Sequence, residues 1–179
     1  MVLLIVVIAM MLIPSMVLAD SNDKGDFKTL CLGDDETTVN LKVDLLCNNG
    51  ELQRDGDKIY TTILDYKTEM ILAFDQEKLD KISLYFPQIK KKYFYTYLRS
   101  MLEEEIEPML VKSYGEPINS YGYPQISEVD DNNFVYSFEW IIGKKRVIVG
   151  IAKEWGKDFY YAGIRINDND KEIGVNNDF

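Results

Sequence analysis

Three runs of β-branched and aromatic residues, Phe134 to Ile142, Lys145 to Lys153 and Phe159 to Ile166, follow one another with only short links between them. Parallel neighbours need a crossover of about a dozen residues or more, so links this short commit the runs to an antiparallel meander. Gly143-Lys144 supplies a tight turn between the first two. An earlier trio has the same layout: Ile59 to Tyr66, Met70 to Phe74 and Leu79 to Phe86, entered through an Asp55-Gly56-Asp57 turn and joined by short polar links.

A helical segment precedes each trio. Asp34-Asp35-Glu36 followed by Thr37-Thr38 places carboxylates at the positive end of a helix dipole, and Asn48-Asn49-Gly50 is a stop signal. Val39, Val43 and Leu46 share one helical face. The alternation of Val39, Leu41, Val43 and Leu45 with polar neighbours also fits a strand, although the cap and stop favour the helix. After Pro87 a longer stretch begins near Lys91, in which Phe94, Leu98, Leu102, Ile106 and Leu110 recur every four residues. Pro108 either kinks this helix or restarts it, and Gly115 and Pro117 end it. A polar loop runs from Ile118 to Asn133, and the tail from Asn167 to Phe179 has little to bury. The expected class is α+β: two tandem helix-plus-three-strand antiparallel units, 27–87 and 88–166, forming a sheet with helices packed on one face, followed by a polar tail, 167–179.

The opening Phe27-Lys28-Thr29-Leu30-Cys31-Leu32-Gly33-Asp34, running on into Asp35-Glu36-Thr37-Thr38-Val39, looks like the start of many small exported bacterial proteins. With the tandem arrangement, it resembles the β-lactamase-inhibitor-protein-like superfamily, which includes small outer-membrane assembly lipoproteins. The resemblance implies a sheet whose open face grips a partner protein. The lipid-modified cysteine of the lipoproteins has no counterpart here, and no functional residue of the family carries over.

Residues 1–19 contain no charge, are apolar from Val2 to Ile13, and end in Val17-Leu18-Ala19 before Asp20. This pattern predicts a secretory signal peptide, though no Lys or Arg precedes the apolar run; the alternative is an uncleaved anchor, which Pro14 and the cleavage site disfavour. A single exported domain, 20–179, would follow, in the periplasm or outside the cell and without membrane insertion after cleavage. In an oxidising compartment Cys31 and Cys47 would pair, closing a loop worth on the order of 3 kcal/mol. The full chain has no histidine and a net charge of −10. The first excludes imidazole-based triads, H-E-x-x-H zinc sites and imidazole pH switches. The second argues against nucleic acid or an anionic membrane as partner, since both need a basic patch.

Phe134, Tyr136, Phe138 and Trp140 alternate along one strand run and are expected to share a face. In the last run Phe159, Tyr161 and Arg165 share a face opposite Tyr160, Ala162, Ile164 and Ile166. Tyr, Trp and Arg are enriched at binding hot spots, which makes Tyr136, Phe138, Trp140, Phe159, Tyr161 and Arg165 candidate contacts, with Tyr121 and Tyr123 from the loop; the alternative is that the strand aromatics pack under the second helix and the loop tyrosines lie over the sheet edge. Glu139 is an acidic residue in an otherwise apolar segment, and burial with a second carboxylate would permit glycoside hydrolysis. Glu103, Glu104, Glu105 and Glu107 read as a solvated helix face. Asp168, Asp170 and Glu172 alternate as in a calcium loop, but the Gly and the bidentate Glu are missing, so no metal or other cofactor is expected. The preferred reading is non-catalytic: a protein-binding or envelope-associated module. The alternative is a small carboxylate-dependent hydrolase acting on an envelope polymer.

Overall fold

The computed structural model describes residues 26–131 and 133–169; the segment read as a signal peptide and the tail beyond 169 lie outside them. Helix α1 spans Glu36–Asn48. Asp35 caps it by accepting the Thr38 amide at 2.9 Å, and Gly50 takes a positive φ of 75° just past its end. Val39, Val43 and Leu46 face the core while Leu41 and Leu45 lie on the solvent side. The competing strand alternation is therefore not realised.

Among the described residues nine strands follow: β1 (Gln53–Asp55), β2 (Lys58–Ile63), β3 (Tyr66–Asp75), β4 (Lys78–Tyr85), β5 (Ile89–Lys90), β6 (Asn119–Ser120), β7 (Phe134–Ile142), β8 (Lys145–Lys153) and β9 (Phe159–Asp168). They form one antiparallel sheet in the order β1-β2-β3-β4-β9-β8-β7-β6, with β5 pairing beside the start of β9. The expected run from Ile59 to Tyr66 is broken at Leu64-Asp65, whose φ values of 51° and 64° turn the chain from β2 into β3. Gln76-Glu77, at 49° and 62°, make the equivalent turn between β3 and β4. Positive φ at both central residues marks hairpin turns normally built from Asn-Gly. Because neither turn carries glycine, the first left no punctuation in the sequence. At the other end β9 continues to Asp168, taking the first two residues expected in the polar tail.

Between β5 and β6 the helical stretch is wound in three ways. A 3₁₀ turn at Lys91–Tyr93 leads into π-helical turns at Phe94–Leu98 and Met101–Ile106, then an α-helix, α2, at Glu107–Tyr114. The spacing of the apolar stripe accounts for this. Four residues turn an α-helix through about 400°, so a repeat of four drifts about 40° at each step. The wider π winding takes up that excess. Phe94, Leu98, Leu102, Ile106 and Leu110 thus all reach the core, each at most 1% exposed. Pro108 falls in the first turn of α2, where it restarts α winding. Two of the four glutamates assigned to a solvated face are anchors instead: Glu105 accepts the Tyr66 hydroxyl at 3.0 Å, and Glu107 accepts that of Tyr123.

The main core lies between the helices and one face of the sheet. It joins Val39, Val43 and Leu46 of α1 and the stripe to Met70, Ile82, Leu84, Val147, Val149, Ile151, Ile164 and Ile166. The other face carries a separate cluster made of strand residues, Tyr85, Phe134, Ile148 and Ala152.

The disulfide expected between Cys31 and Cys47 is not formed; both are free. The Cys31 thiol sits 3.9 Å from the Lys42 ammonium, on one flank of α1. Cys47 is five residues beyond Lys42, about 140° around the helix from it.

Candidate functional site

A single bulge decides which aromatics of β7 reach which face. Tyr136 pairs with Gly150 and Phe138 with Val149, leaving Ser137 as the extra residue. One inserted residue inverts side-chain alternation, so the four aromatics do not share a face. Phe138 and Trp140 turn toward the helices, at 3% and 1% exposure, and the Trp140 indole donates to the Gly115 carbonyl at 2.8 Å. Both are core residues and leave the candidate binding set. Phe134 and Tyr136 turn to the outer face, where Tyr161, Arg165 and Tyr85 also lie.

That face is built on a pair of glycines. Gly150 and Gly163 stand opposite each other on β8 and β9, and the Phe134 ring lies across them. A Cβ on Gly150 would fall 2.2 Å from the Val135 carbonyl oxygen and 2.9 Å from that ring; one on Gly163 would fall 2.9 Å from the ring's other edge. The Arg165 guanidinium stands 4.0 Å from the centre of the Phe134 ring and donates to the Tyr85 hydroxyl at 3.1 Å. Tyr161 meets Tyr85 edge-on at 6.0 Å and accepts a hydrogen bond from Gln88 at 2.6 Å. Burial pushes the Tyr161 phenol up to about 12, so it stays protonated. Tyr136 lies beside Phe134 at 5.9 Å and beside Tyr121 at 6.3 Å. Phe159 is half-buried next to β5, opposite Lys90.

Glu139 closes one end of the cluster. It is 3% exposed, pairs with Arg146, and accepts from the Asn119 amide at 2.8 Å and the Tyr121 hydroxyl at 2.9 Å. Burial by itself would raise its pKa, but these three donors outweigh burial and hold the carboxyl below the ordinary glutamate range. A glycosidic acid needs the opposite shift. The same hydrogen bond pushes the Tyr121 phenol up, ahead of burial.

The loop tyrosines part at Gly122, whose φ of 82° suits glycine. Tyr121 goes to Glu139 on the outer face. Tyr123 passes to the helix side, where it bonds Glu107, meets Phe138 at 5.5 Å, and is pushed up by burial and by that carboxylate. Of the expected contacts, the structure brings together Tyr121, Tyr136, Tyr161 and Arg165, and moves Tyr123, Phe138 and Trp140 to the other side of the sheet. Sequence reasoning missed Tyr85, Arg146, Asn119 and the two glycines. A glycine inside a strand often marks a close approach, and Gly150 and Gly163 carried that signal.

Among the described residues no group of three or more His, Cys, Asp or Glu side chains is placed to hold a metal ion, and no helix is long and apolar enough to cross a membrane. Compared with protein-family models, curated proteins and solved structures, the chain matches none.

Proposed function

We propose that this chain is an exported, non-catalytic module that binds another protein through the outer face of its sheet. The observation that carries the reading is the packing around Phe134. Tyr121, Tyr136, Tyr161 and Arg165 are half-buried or exposed, and each is held by a neighbouring ring or hydrogen bond, so a partner would find them already in place. Preorganised aromatic and arginine side chains lose little entropy on binding and are the usual anchors of an interface. The strand order supports reading the chain as two helix-plus-three-strand units, because β4 and β9, the last strand of each, meet at the centre. Kinship with the β-lactamase-inhibitor-protein-like superfamily is part of this proposal on the strength of the sequence resemblance alone. The lowered pKa of Glu139 and its saturation by Asn119, Tyr121 and Arg146 weigh against the hydrolase alternative.

Site-directed photocrosslinking tests this. A crosslinker at Tyr136 or Tyr121 should join the protein to one discrete envelope component, while the same group at Leu41 on the solvent side of α1 should not. Equal labelling from all three positions, or none from the sheet face, would overturn the reading.

A further inference from the structure

Two segments distant in sequence are tied together at the end of the sheet where β8 turns into β9. Lys90 pairs with Phe159, the Lys91 amide donates to the Asp158 carbonyl at 3.0 Å, and the Gln88 side chain donates to Glu154 at 3.1 Å. The first segment exposes Lys90, Lys91 and Lys92, then Tyr93 and Tyr97, whose rings meet edge to face at 5.4 Å. The second exposes Trp155, at 66%, in a turn completed by Gly156 with a φ of 67°. Tyr93 and Tyr97 are 41% and 56% exposed. Large rings left in water on two segments that the backbone ties together mark an interaction surface.

The residue types narrow the partner. Trp and Tyr combine an apolar body with a polar tip, and lysine extends an ammonium on an apolar stem; together they are the side chains of the membrane–water interface. The charge agrees. Lys157 is paired with Glu154 and Lys153 with Asp131, so those four cancel. Lys90 to Lys92 are then opposed by Asp158 and by Asp130 of the adjoining loop, which still leaves a local positive surplus on a chain whose net charge is −10.

We propose that this end of the molecule is a peripheral docking surface for anionic phospholipid headgroups, with Trp155, Tyr93 and Tyr97 at headgroup level and Lys90 to Lys92 on the phosphates. The acidity that argues against an anionic membrane applies to the rest of the surface. Repulsion of that acidic remainder would leave the lysine-and-aromatic end as the side able to approach, and so impose one orientation. This surface is distinct from the Phe134 cluster, and neither reading depends on the other.

The test is tryptophan fluorescence of the full chain with vesicles of phosphatidylcholine, with and without phosphatidylglycerol, carrying brominated acyl chains. Trp140 is buried in the core and supplies a constant background, so a change reports on Trp155. Anionic vesicles should shift the emission to the blue and quench it, neutral vesicles should do neither, and Trp155→Phe should abolish the response. The triple variant K90E/K91E/K92E, with an unchanged melting temperature, should lose apparent affinity on the order of a hundredfold. Because the apolar run at 2–13 can hold any variant near a bilayer, the readout is the position of Trp155 and not pelleting of the protein. An emission indifferent to anionic lipid, or the same with neutral vesicles or in the triple variant, would overturn the proposal.

Discussion

The two faces of the sheet are buried by different means. The inner face is covered by α1 and the π-wound stripe, and its residues are mostly Val, Ile and Leu packed against other apolar side chains. The outer face is covered by its own side chains: Phe134 lies down over Gly150 and Gly163, Arg165 stands over Phe134, and Glu139 gathers three donors beside it. An inner-face residue can be shortened only by leaving a hole, whereas the outer face has water within reach to fill one. Order on the outer face therefore depends on missing side chains and on directed hydrogen bonds more than on close packing.

The largest expected effect breaks that arrangement at its floor. Gly150→Ala sets a Cβ against the Val135 carbonyl oxygen, a backbone atom that cannot rotate away, and should cost about 4 kcal/mol in urea unfolding. A cost below about 1 kcal/mol would mean that the strands slide apart freely and that the floor is not rigid. A paired measurement then sharpens the contrast between faces. Leu102→Ala, in the sealed inner core, should cost about 3 kcal/mol, and Phe134→Ala, although it deletes a larger side chain, about 2 kcal/mol because solvent can enter. The reverse order would refute the distinction drawn between the faces.

The smallest effect is electrostatic. The folded-state pKa of Glu139 is lowered, so its contribution is fully present above the ordinary value of 4.5 and is lost as pH falls through the folded value. Glu139→Gln should cost about 1.5 kcal/mol at pH 7 and flatten the acid limb of the stability curve. An acid limb identical to that of the parent would show that Arg146, Asn119 and Tyr121 do not favour the charged carboxylate.

Much of this fold is legible in the residues. The three strands of 134–166 form where their residues place them, Asp35 and the Asn-Asn-Gly stop bound α1, and the faces of β9 come out as alternation requires, with Tyr161 and Arg165 opposite Ala162, Ile164 and Ile166. The failures share a cause: a local irregularity without a glycine or proline to announce it. Ser137 looks like any polar strand residue, yet its insertion sends Phe138 and Trp140 to the core. Leu64-Asp65 hides a turn inside an apolar run. The cysteine pair failed for another reason, since spacing along the chain says nothing of the angle around a helix. The strict repeat of four in the stripe did carry information, because an α-helix cannot keep such a repeat on one side.

The divergence of Tyr121 and Tyr123 at Gly122 has a consequence for assembly. A sheet ends in strands whose outer amides and carbonyls invite another chain to pair, which is how soluble β-proteins begin to polymerise. Here the last strand of one border, β6, is two residues long, and it is gripped from both sides by tyrosines that end on different carboxylates, Glu139 in front and Glu107 behind. A second copy pairing with this border would meet a strand of two residues, followed at once by both of these anchored tyrosines. The clip thus guards this rim as well as shaping the face, so the border beside the aromatic surface is the shorter of the two that the sheet presents, the other being β1.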